Sequence, residues 1–408
     1  MKSFLLFLSV LCFAAAGSAA DSAPEVKLTG IADLGYRTVA LLEIKTARGP
    51  AMKPVLVVGE RVDFVELVAI DAKKGRVSLN LGGMQADAAL DSAEDTEQPP
   101  TLHFKNASAL QVLDLYQEIS GSTVLPSPAL PNANVTLKSA PALNRTASME
   151  ALAQALRDAG IIVTPRHGKF AFATPVSHVP RLAQIPDAPA PLKGGDNDQF
   201  KKANDATTEV FPPGLLKFSE ADVRAVLDIY QELTGRTLLI SPNIPPAKLS
   251  FKTQTPLNRS EAIWAIDAML YLATIKTVPE WTKFTYVLPA TRKTAAPKIP
   301  DNPAADKLKG STNSVAPGTL KLDGASPQQA LDLYAGLLGR KSVAVEKNVS
   351  AARINLKTQT ALHPVEAIHA LDAMAALHHL RFVLVGEKQV KIVSATLSDK
   401  SADPNQPR

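Results

Sequence analysis

Four histidines near the end of the chain are the residues best suited to metal binding. They are His363, His369, His378 and His379. Ligands on one face of a helix stand three or four residues apart, whereas His369 precedes the adjacent pair by nine and ten positions. The related segments at 148–160 and 260–273 contain no histidine. We therefore interpret the four as surface or half-buried residues, and we predict no metal and no cofactor.

Motifs for other catalytic chemistry are absent from the sequence. The chain has neither a glycine-rich phosphate loop nor the Gly-x-Ser-x-Gly motif of serine hydrolases. Its single cysteine, Cys12, lies within a predicted export signal, so the mature chain has no cysteine nucleophile. These observations predict a protein that is not an enzyme, with no catalytic residue and no small-molecule substrate.

Two charged columns recur three times along the chain. The aspartates are Asp114, Asp228 and Asp332, and the lysines are Lys138, Lys252 and Lys357. Three interpretations stay open: an ion pair within each copy, a surface that faces a partner, or solvated faces. An exposed ion pair would stabilise each copy by at most ~1 kcal/mol. We favour solvated faces or a local ion pair, and partner contact is the remaining candidate.

The aspartates belong to a helix that is written three times, as VLDLYQEISG, VLDIYQELTG and ALDLYAGLLG. Five residues before the first leucine of each Leu-Asp-x-Tyr stands a predicted N-cap: Ser108, Asp222 or Ser326. Gln111 and Gln329 predict capping boxes in copies 1 and 3. Helical spacing places Tyr116, Tyr230 and Tyr334 on a buried face. The glycines at Gly121, Gly235 and Gly339 are predicted to end the helices in a left-handed conformation.

Each repeated helix is followed by a regular series of elements. A strand-like run, a turn rich in Pro and Asn, an alternating strand, a second helix and a final hairpin come in that order. The second helices begin at Asn144, Asn258 and His363. With a short strand before the first helix, the order is β-α-β-β-α-β(β). It predicts an α+β fold in which a small sheet carries both helices on one face, with strand edges open to another chain.

Proline-rich segments divide the chain into blocks. Residues 84–100, 177–213 and 290–318 have little apolar periodicity and are predicted to be flexible to semi-extended linkers. The first block reads as short strands with glycine turns, which predicts a small all-β domain. The predicted organisation is a signal peptide at 1–20, a β-domain at 21–92, copies at 99–176, 214–290 and 318–396, linkers at 177–213 and 291–317, and a tail at 397–408.

The N-terminus has the features of a secretory signal peptide. Lys2 precedes an apolar run from Phe4 to Gly17, and small residues lead to a predicted cleavage between Ala20 and Asp21. No later stretch is long and apolar enough to be a transmembrane helix. We therefore expect a periplasmic protein whose mature chain does not span the membrane.

Nucleic-acid binding is the alternative function that the composition leaves open. The net charge is +5 and the pI is about 9.1, but the charge is spread without a polybasic run. No copy has a GXXG clamp, a basic helix or stacked sheet aromatics. A filter-binding assay at ~0.15 M salt is expected to show no specific retention.

The repeat resembles the short N-terminal domains of secretins, which also occur in some TonB-dependent transducers. Copy 2 follows that family's pattern nearly throughout, in LKFSEADVRAVLDIYQELTGRTLLISPNIPPAKLSFKTQTPLNRSEAIWAIDAMLYLA. The resemblance covers about 230 of the 408 residues. A secretin continues into a pore-forming β-domain, whereas this chain ends at Arg408, so we expect it not to form the channel.

The first block resembles the small β-domain of the inner-membrane clamp subunit of type II secretion and of the related pilus lipoprotein. The matching pieces are Leu28-x-Gly30, Ala40 to Ile44, Val58 to Glu60, Val68 to Ile70 and Val77 to Leu79. In that family the β-domain docks onto the first N-terminal domain of the secretin. The clamp subunit's inner-membrane helix has no counterpart here.

Together the resemblances imply a non-catalytic adaptor or scaffold in a type II secretion or type IV pilus-like machine. The implied partners are a secretin, secretion-platform subunits or further copies of the chain, contacted through sheet edges. The implied location is the periplasm, in association with the outer-membrane secretin complex.

Overall fold

A computed structural model describes residues 24–46, 49–90, 101–166, 168–185, 210–291, 295–299, 302–345, 349 and 351–395. The predicted signal peptide with its cleavage site at Ala20 and Asp21, the tail at 397–408 and most of the 177–213 linker lie outside these residues. The described chain has the predicted α+β composition. It divides into two compact units, one running to residue 179 and the other from 180 onward, with 125–129 grouped with the second.

Seven strands form the β-domain of the N-terminal unit. They are β1 (Glu25–Asp33), β2 (Thr38–Lys45), β3 (Val55–Val57), β4 (Arg61–Val62), β5 (Val65–Asp71), β6 (Arg76–Leu81) and β7 (Met84–Ala89). Strands β4 to β7 form an antiparallel sheet in chain order, while β1 to β3 belong to a second sheet. Both sheets contribute to one apolar core, which includes Leu28, Leu42, Val65 and Leu79.

Copy 1 follows the β-domain in the same unit. Its elements are β8 (Leu102–Ser108), α1 (Ala109–Ser120), β9 (Thr123–Pro126), β10 (Asn134–Lys138), α2 (Arg145–Asp158), β11 (Ile161–Arg166) and β12 (Phe170–Pro175). A 3₁₀ helix, Val176–Gln184, comes next. Because β8 and β10 join β1 to β3, the unit contains a five-stranded sheet of order β10-β8-β1-β2-β3.

This five-stranded sheet separates two cores. Along β2, Ala40 and Leu42 belong to the core of the β-domain, whereas Val39 and Leu41 pack with the helices of copy 1. A strand that is covered on both faces needs a continuous apolar run rather than an alternating one. The sequence of β2, TVALLEIK, has that run because it serves both domains at once.

Copies 2 and 3 make up the C-terminal unit. Copy 2 contains β13 (Val210–Phe211), β14 (Lys217–Asp222), α3 (Val223–Thr234), β15 (Thr237–Ile240), β16 (Lys248–Lys252), β17 (Leu257–Asn258), α4 (Arg259–Leu272), β18 (Ile275–Glu280) and β19 (Phe284–Pro289). Copy 3 contains β20 (Lys321–Ala325), α6 (Pro327–Leu337), β21 (Lys341–Ser342), β22 (Ile354–Lys357), α7 (Pro364–Leu377), β23 (Leu380–Val385) and β24 (Gln389–Ser394). A short helix, α5 (Pro303–Asp306), lies between them.

The strands of each copy are divided between at least two sheets, where the sequence predicts one. In copy 1, β8 and β10 belong to the five-stranded sheet and β11-β12-β9 form another, and copy 2 has a further two-stranded sheet, β13-β17. In copy 2, β14 pairs only with β16 among the described strands, and a separate sheet has the order β15-β19-β18. Copy 3 repeats this arrangement with β20-β22 and β21-β24-β23. Side-chain alternation identifies a strand but not its hydrogen-bonding neighbour, so the sequence could not reveal the division.

Parts of the predicted linkers are ordered elements. Residues 84–89, assigned to a linker by composition, form β7 and pair with β6. In the 291–317 segment, Asn302 caps α5, and both Ala304 and Ala305 are buried. Val315 forms an isolated bridge with Leu362. Apolar residues of this segment therefore pack against the core of copy 3, among them Ala305, Ile299 and Leu308.

No helix in the described part of the chain is both long and apolar enough to cross a bilayer.

Candidate protein-interaction surfaces

The seam between the β-domain and copy 1 is a line of antiparallel strand pairing. Gly30 pairs with Phe104, Ile31 with His103 and Ala32 with Leu102. The N–H of Asp33 extends the seam by donating to the carbonyl of Thr101 at 2.8 Å. The β-domain thus adds a strand to the first strand of copy 1, which is the mode of recognition called strand addition.

A buried glutamine fastens the first helix of copy 1 to the same seam. Gln111 is 1% exposed and its Oε1 accepts from the N–H of Ser108, which completes the capping box of α1. Its Nε2 donates to the carbonyl oxygens of Leu42 at 2.8 Å and of Pro54 at 3.2 Å. One side chain therefore caps the helix and also satisfies backbone acceptors of two β-domain strands.

The repeated structural residues occupy equivalent places in the three copies. Ser108, Asp222 and Ser326 are the N-caps of α1, α3 and α6, with capping boxes in copies 1 and 3. Tyr116, Tyr230 and Tyr334 are buried. Gly121 and Gly235 are left-handed C-caps, whereas α6 ends one residue earlier and leaves Gly339 just beyond its cap, still at positive φ.

The two charged columns lie on exposed surface. All six residues, Asp114, Asp228, Asp332, Lys138, Lys252 and Lys357, are exposed. Asp332 accepts hydrogen bonds from Gln328 and Ser342 of its own copy. Each lysine lies opposite a residue in the first strand of its copy: Lys252 opposite Lys217, Lys357 opposite Lys321 and Lys138 opposite His103. Each pair places two basic side chains next to each other, at the beginning of the first strand of its copy.

A third polar column was not recognised from the sequence. The first strand of every copy contains a residue with positive φ, namely Asn106, Glu220 or Gly324. The N–H of this bulged residue donates to a side-chain oxygen on the neighbouring strand: Thr136 at 3.2 Å, Ser250 at 3.0 Å and Asn355 at 2.7 Å. All three acceptors are short polar residues that stand two positions before the recurring lysine of their copy. An alignment of the three copies could have revealed this pattern.

Copies 2 and 3 share one apolar core. Leu239, Phe284, Tyr286 and Leu288 of copy 2 are each at most 1% exposed and belong to the same buried cluster as α7 and β22 of copy 3. The outer face of the β15-β19-β18 sheet is therefore covered by the next copy. Fully buried aromatic side chains contribute strongly to such a contact.

Polar contacts surround this shared core. Trp281 stacks on His369 with ring centroids 3.8 Å apart. Gln231 Nε2 donates to the carbonyl of Lys357 at 2.7 Å, and the N–H of Gln359 donates to Thr237 Oγ1 at 3.1 Å. The contact has the arrangement of a protein–protein interface, with an apolar centre and a polar rim.

The strongest polar contact of this rim is the ion pair of Lys283. Its Nζ lies 2.7 Å from Glu366 Oε2 and donates to the carbonyl of Ala361 at 2.9 Å. The two side chains are 13% and 22% exposed, so solvent screens the pair only in part. Replacing Lys283 with methionine is expected to lower the free energy of unfolding by about 1–2 kcal/mol, because a partly buried carboxylate loses its partner.

The matched control for this change is Lys388→Met. Lys388 occupies the equivalent position in the hairpin of copy 3, since the Lys341 N–H bonds its carbonyl as the Thr237 N–H bonds that of Lys283. Lys388 is exposed, and its replacement is expected to change the unfolding midpoint in urea very little. Equal midpoint shifts for the two variants would contradict the role given to Lys283.

Two partly buried carboxylates titrate in an unusual range. Burial raises the pKa of Asp267 to about 6, although hydrogen bonds from Thr277 and Tyr230 lower it. Burial likewise raises the pKa of Asp372 to about 6, against hydrogen bonds from Asn302 and Tyr334. In both copies the carboxylate thus lies beside the repeated tyrosine of the first helix.

These carboxylates make stability depend on pH. A raised pKa means that the folded state binds the proton more tightly than the unfolded state does. The protonated carboxyl groups therefore contribute fully to the free energy of unfolding below about pH 4, and this contribution is lost as the pH rises through about 6. His369 acts in the opposite sense, because burial lowers its pKa to about 4 and protonation at low pH then opposes folding. Its Nε2 lies 3.4 Å from Glu280 Oε1 and makes no hydrogen bond.

Replacing Asp267 with asparagine is expected to raise the free energy of unfolding above about pH 7 by about 1–2 kcal/mol, because a neutral group then replaces a poorly solvated carboxylate. Near pH 4, where the carboxyl of the parent protein is already neutral, the gain should vanish. Urea unfolding across this pH range measures the difference. Asp228→Asn, on the exposed face of α3, is the control, and a pH-independent gain for Asp267→Asn would refute the titration.

The histidines considered for metal binding have separate structural places. His363 caps α7, His369 stacks on Trp281, and His378 is the C-cap of the same helix. Within the described ranges, no group of three or more His, Cys, Asp and Glu side chains is arranged to hold a metal ion. A groove of about 370 Å³ lies between copies 2 and 3, lined in part by Arg224, Arg353 and His378.

Comparison with known proteins assigns this chain to no family. A scan against protein-family models matched none of them, and a search of curated proteins found no match.

Proposed function

We propose that this chain is an exported periplasmic adaptor or scaffold that makes protein–protein contacts in a type II secretion or type IV pilus-like secretin machine. It performs no catalytic step. In this proposal a small clamp-like β-domain precedes three secretin N-type modules, at 99–176, 214–290 and 318–396. The partners are a secretin or subunits of the secretion platform, with self-association as a further outcome.

One observation carries the proposal: strand β1 of the β-domain pairs with β8, the first strand of copy 1. The two sequence resemblances imply docking between these two kinds of domain when they belong to separate proteins. The pairing of β1 with β8 joins the two domains within this single chain, which supports the proposal. A protein built by adding strands and stacking small modules is suited to binding further modules in the same ways.

Mild crosslinking in the native cells, followed by affinity capture of the tagged chain, tests the proposal. A secretin or a secretion-platform subunit is expected among the captured proteins. An unrelated exported protein with the same tag serves as the control for proteins that bind the tag. Recovery of soluble enzymes alone, or of nothing, would overturn the proposal.

A further inference from the structure

The first strands of the three copies differ in how many neighbours they have. In copy 1, β8 lies between β10 and β1. In copies 2 and 3, the equivalent strands β14 and β20 pair only with β16 and β22 within the described part of the chain. The side of each strand that corresponds to the β1 side of β8 therefore has no strand beside it among those residues.

The backbone at this side is positioned to accept a strand. The carbonyls of Leu216 and Leu320 accept from the N–H groups of Thr253 and Thr358, at 3.2 Å in each case, on the side of β16 and β22. Alternate residues of an antiparallel strand bond to opposite neighbours. The N–H and C=O groups of Lys217 and Lys321 thus point away from the paired strand. In copy 1, the same groups of His103 point away from β10 and toward Ile31 of β1.

The side chains at these edges specify the charge of an incoming strand. In copy 1, His103 lies opposite Ile31, which belongs to the β-domain core. The equivalent residues are lysines in copies 2 and 3, each exposed and each directly opposite a second exposed lysine. Like charges directly opposite one another are destabilising, and an acidic neighbour relieves that repulsion. An acidic residue therefore suits the position opposite Lys217 or Lys321.

The seam in copy 1 also specifies the size of one residue in the incoming strand. A Cβ placed on Gly30 would lie 2.5 Å from Phe104 Cδ1 and 3.1 Å from the carbonyl oxygen of His103. Phe218 and Leu322 stand at the positions of Phe104 in copies 2 and 3. The incoming strand therefore needs glycine opposite Phe218 to approach as closely as β1 does. Opposite Leu322, whose side chain is smaller, it needs a small residue.

We propose that the open edges of β14 and β20 each accept an antiparallel strand of a partner protein. The strand carries glycine opposite Phe218 or a small residue opposite Leu322, and an acidic residue next to it, opposite Lys217 or Lys321. The inference rests on the proposed function, since it names the kind of surface through which the adaptor binds. It assigns two further strand-addition sites to a chain that already uses one internally.

A labelled peptide with the sequence of residues 25–34 and Ile31→Glu is a direct probe of these edges. It reproduces the glycine of β1 and supplies the acidic residue. Fluorescence anisotropy with the full chain measures its binding, and hydrogen exchange locates the site. Saturable binding is expected, with new amide protection at 216–222 and 320–325. A peptide that also carries Gly30→Val is expected to bind at least about tenfold more weakly.

Matched protein variants separate backbone pairing from charge attraction. The double variant Lys217→Pro/Lys321→Pro removes the outward N–H groups without touching the bonds to β16 and β22. Lys217→Ala/Lys321→Ala removes the same side chains but keeps the N–H groups. The proline variant is expected to lose at least about tenfold more affinity than the alanine variant, while circular dichroism of both matches the parent protein.

Three outcomes would overturn the inference: no binding of either peptide, equal binding by the proline and alanine variants, or protection confined to 102–108 through displacement of β1. In the first case the edge lysines serve only to prevent strand pairing. Repeating the cellular capture with the proline variant keeps the two proposals apart. A secretin recovered by a chain that binds no peptide would contradict the edge sites alone and leave the adaptor function standing.

Discussion

Replacing Phe284 with alanine is expected to lower the free energy of unfolding of the C-terminal unit by about 3–5 kcal/mol, the usual range for deleting a buried aromatic ring. Phe284 is fully buried and belongs to the core that copies 2 and 3 share. Loss of the ring removes contacts from both copies at once. We therefore expect the two copies to unfold in separate steps in the variant, since their common core is weakened.

The two tryptophans of the chain make this change measurable. Trp264 and Trp281 both lie in copy 2, so tryptophan fluorescence during urea unfolding reports the C-terminal unit. Gln389→Ala is the matched control, because Gln389 pairs with Lys341 as Phe284 pairs with Thr237, yet it is exposed. If Phe284→Ala lowered the free energy of unfolding as little as the control does, the shared core of copies 2 and 3 would be contradicted.

Replacing Gly30 with alanine is expected to destabilise the N-terminal unit by about 1–3 kcal/mol, as overpacking of a well-filled interior does. The new methyl group would overlap the ring of Phe104, which is 1% exposed and cannot swing into solvent. The strand pairing of β1 with β8 should loosen first. Faster hydrogen exchange at Ile31 and His103 measures that loosening, beside a lower thermal unfolding midpoint.

Two further variants make the Gly30 result specific. Gly49→Ala is the control, since its added Cβ would meet only Thr46 Oγ1, at an ordinary 3.7 Å. Gly30→Ala combined with Phe104→Leu should exchange more slowly at the seam than Gly30→Ala alone, because the smaller side chain makes room. Equal effects of Gly30→Ala and Gly49→Ala would contradict the close approach of the two strands.

Local sequence signals were sufficient to predict many of the secondary-structure elements of the repeat. A hydroxyl or carboxylate five residues before the leucine, followed by a helical stripe and a glycine, identifies a helix because capping and periodicity depend on near neighbours. For this reason Ser108, Tyr116 and Gly121 lie where their spacing implies. The same reasoning applies to the second helices, which begin at Asn144, Asn258 and His363 as the sequence predicts.

The candidate surfaces were predictable only in part. The charged columns could be placed on exposed faces, but the pairing of Lys252 with Lys217 depends on strand register, which the local sequence does not specify. Phe284 and Tyr286 belong to a core that copy 2 shares with copy 3, and their local sequence does not reveal that partner. The linker prediction at 291–317 missed long-range packing for the same reason. Amino-acid composition does not reveal that Ala304 and Ala305 are buried against another part of the chain.

The capped helices, the alternating strands and their threefold repetition could be predicted from the amino-acid sequence, because each depends on contacts between residues close in the chain. The neighbours of these elements depend on long-range contacts. Those contacts join β1 to β8, divide the strands of each copy between separate sheets and cover the Phe284 face with the next copy. Strand partners and shared cores are set by contacts between distant segments, and many arrangements of the same elements satisfy the same local pattern.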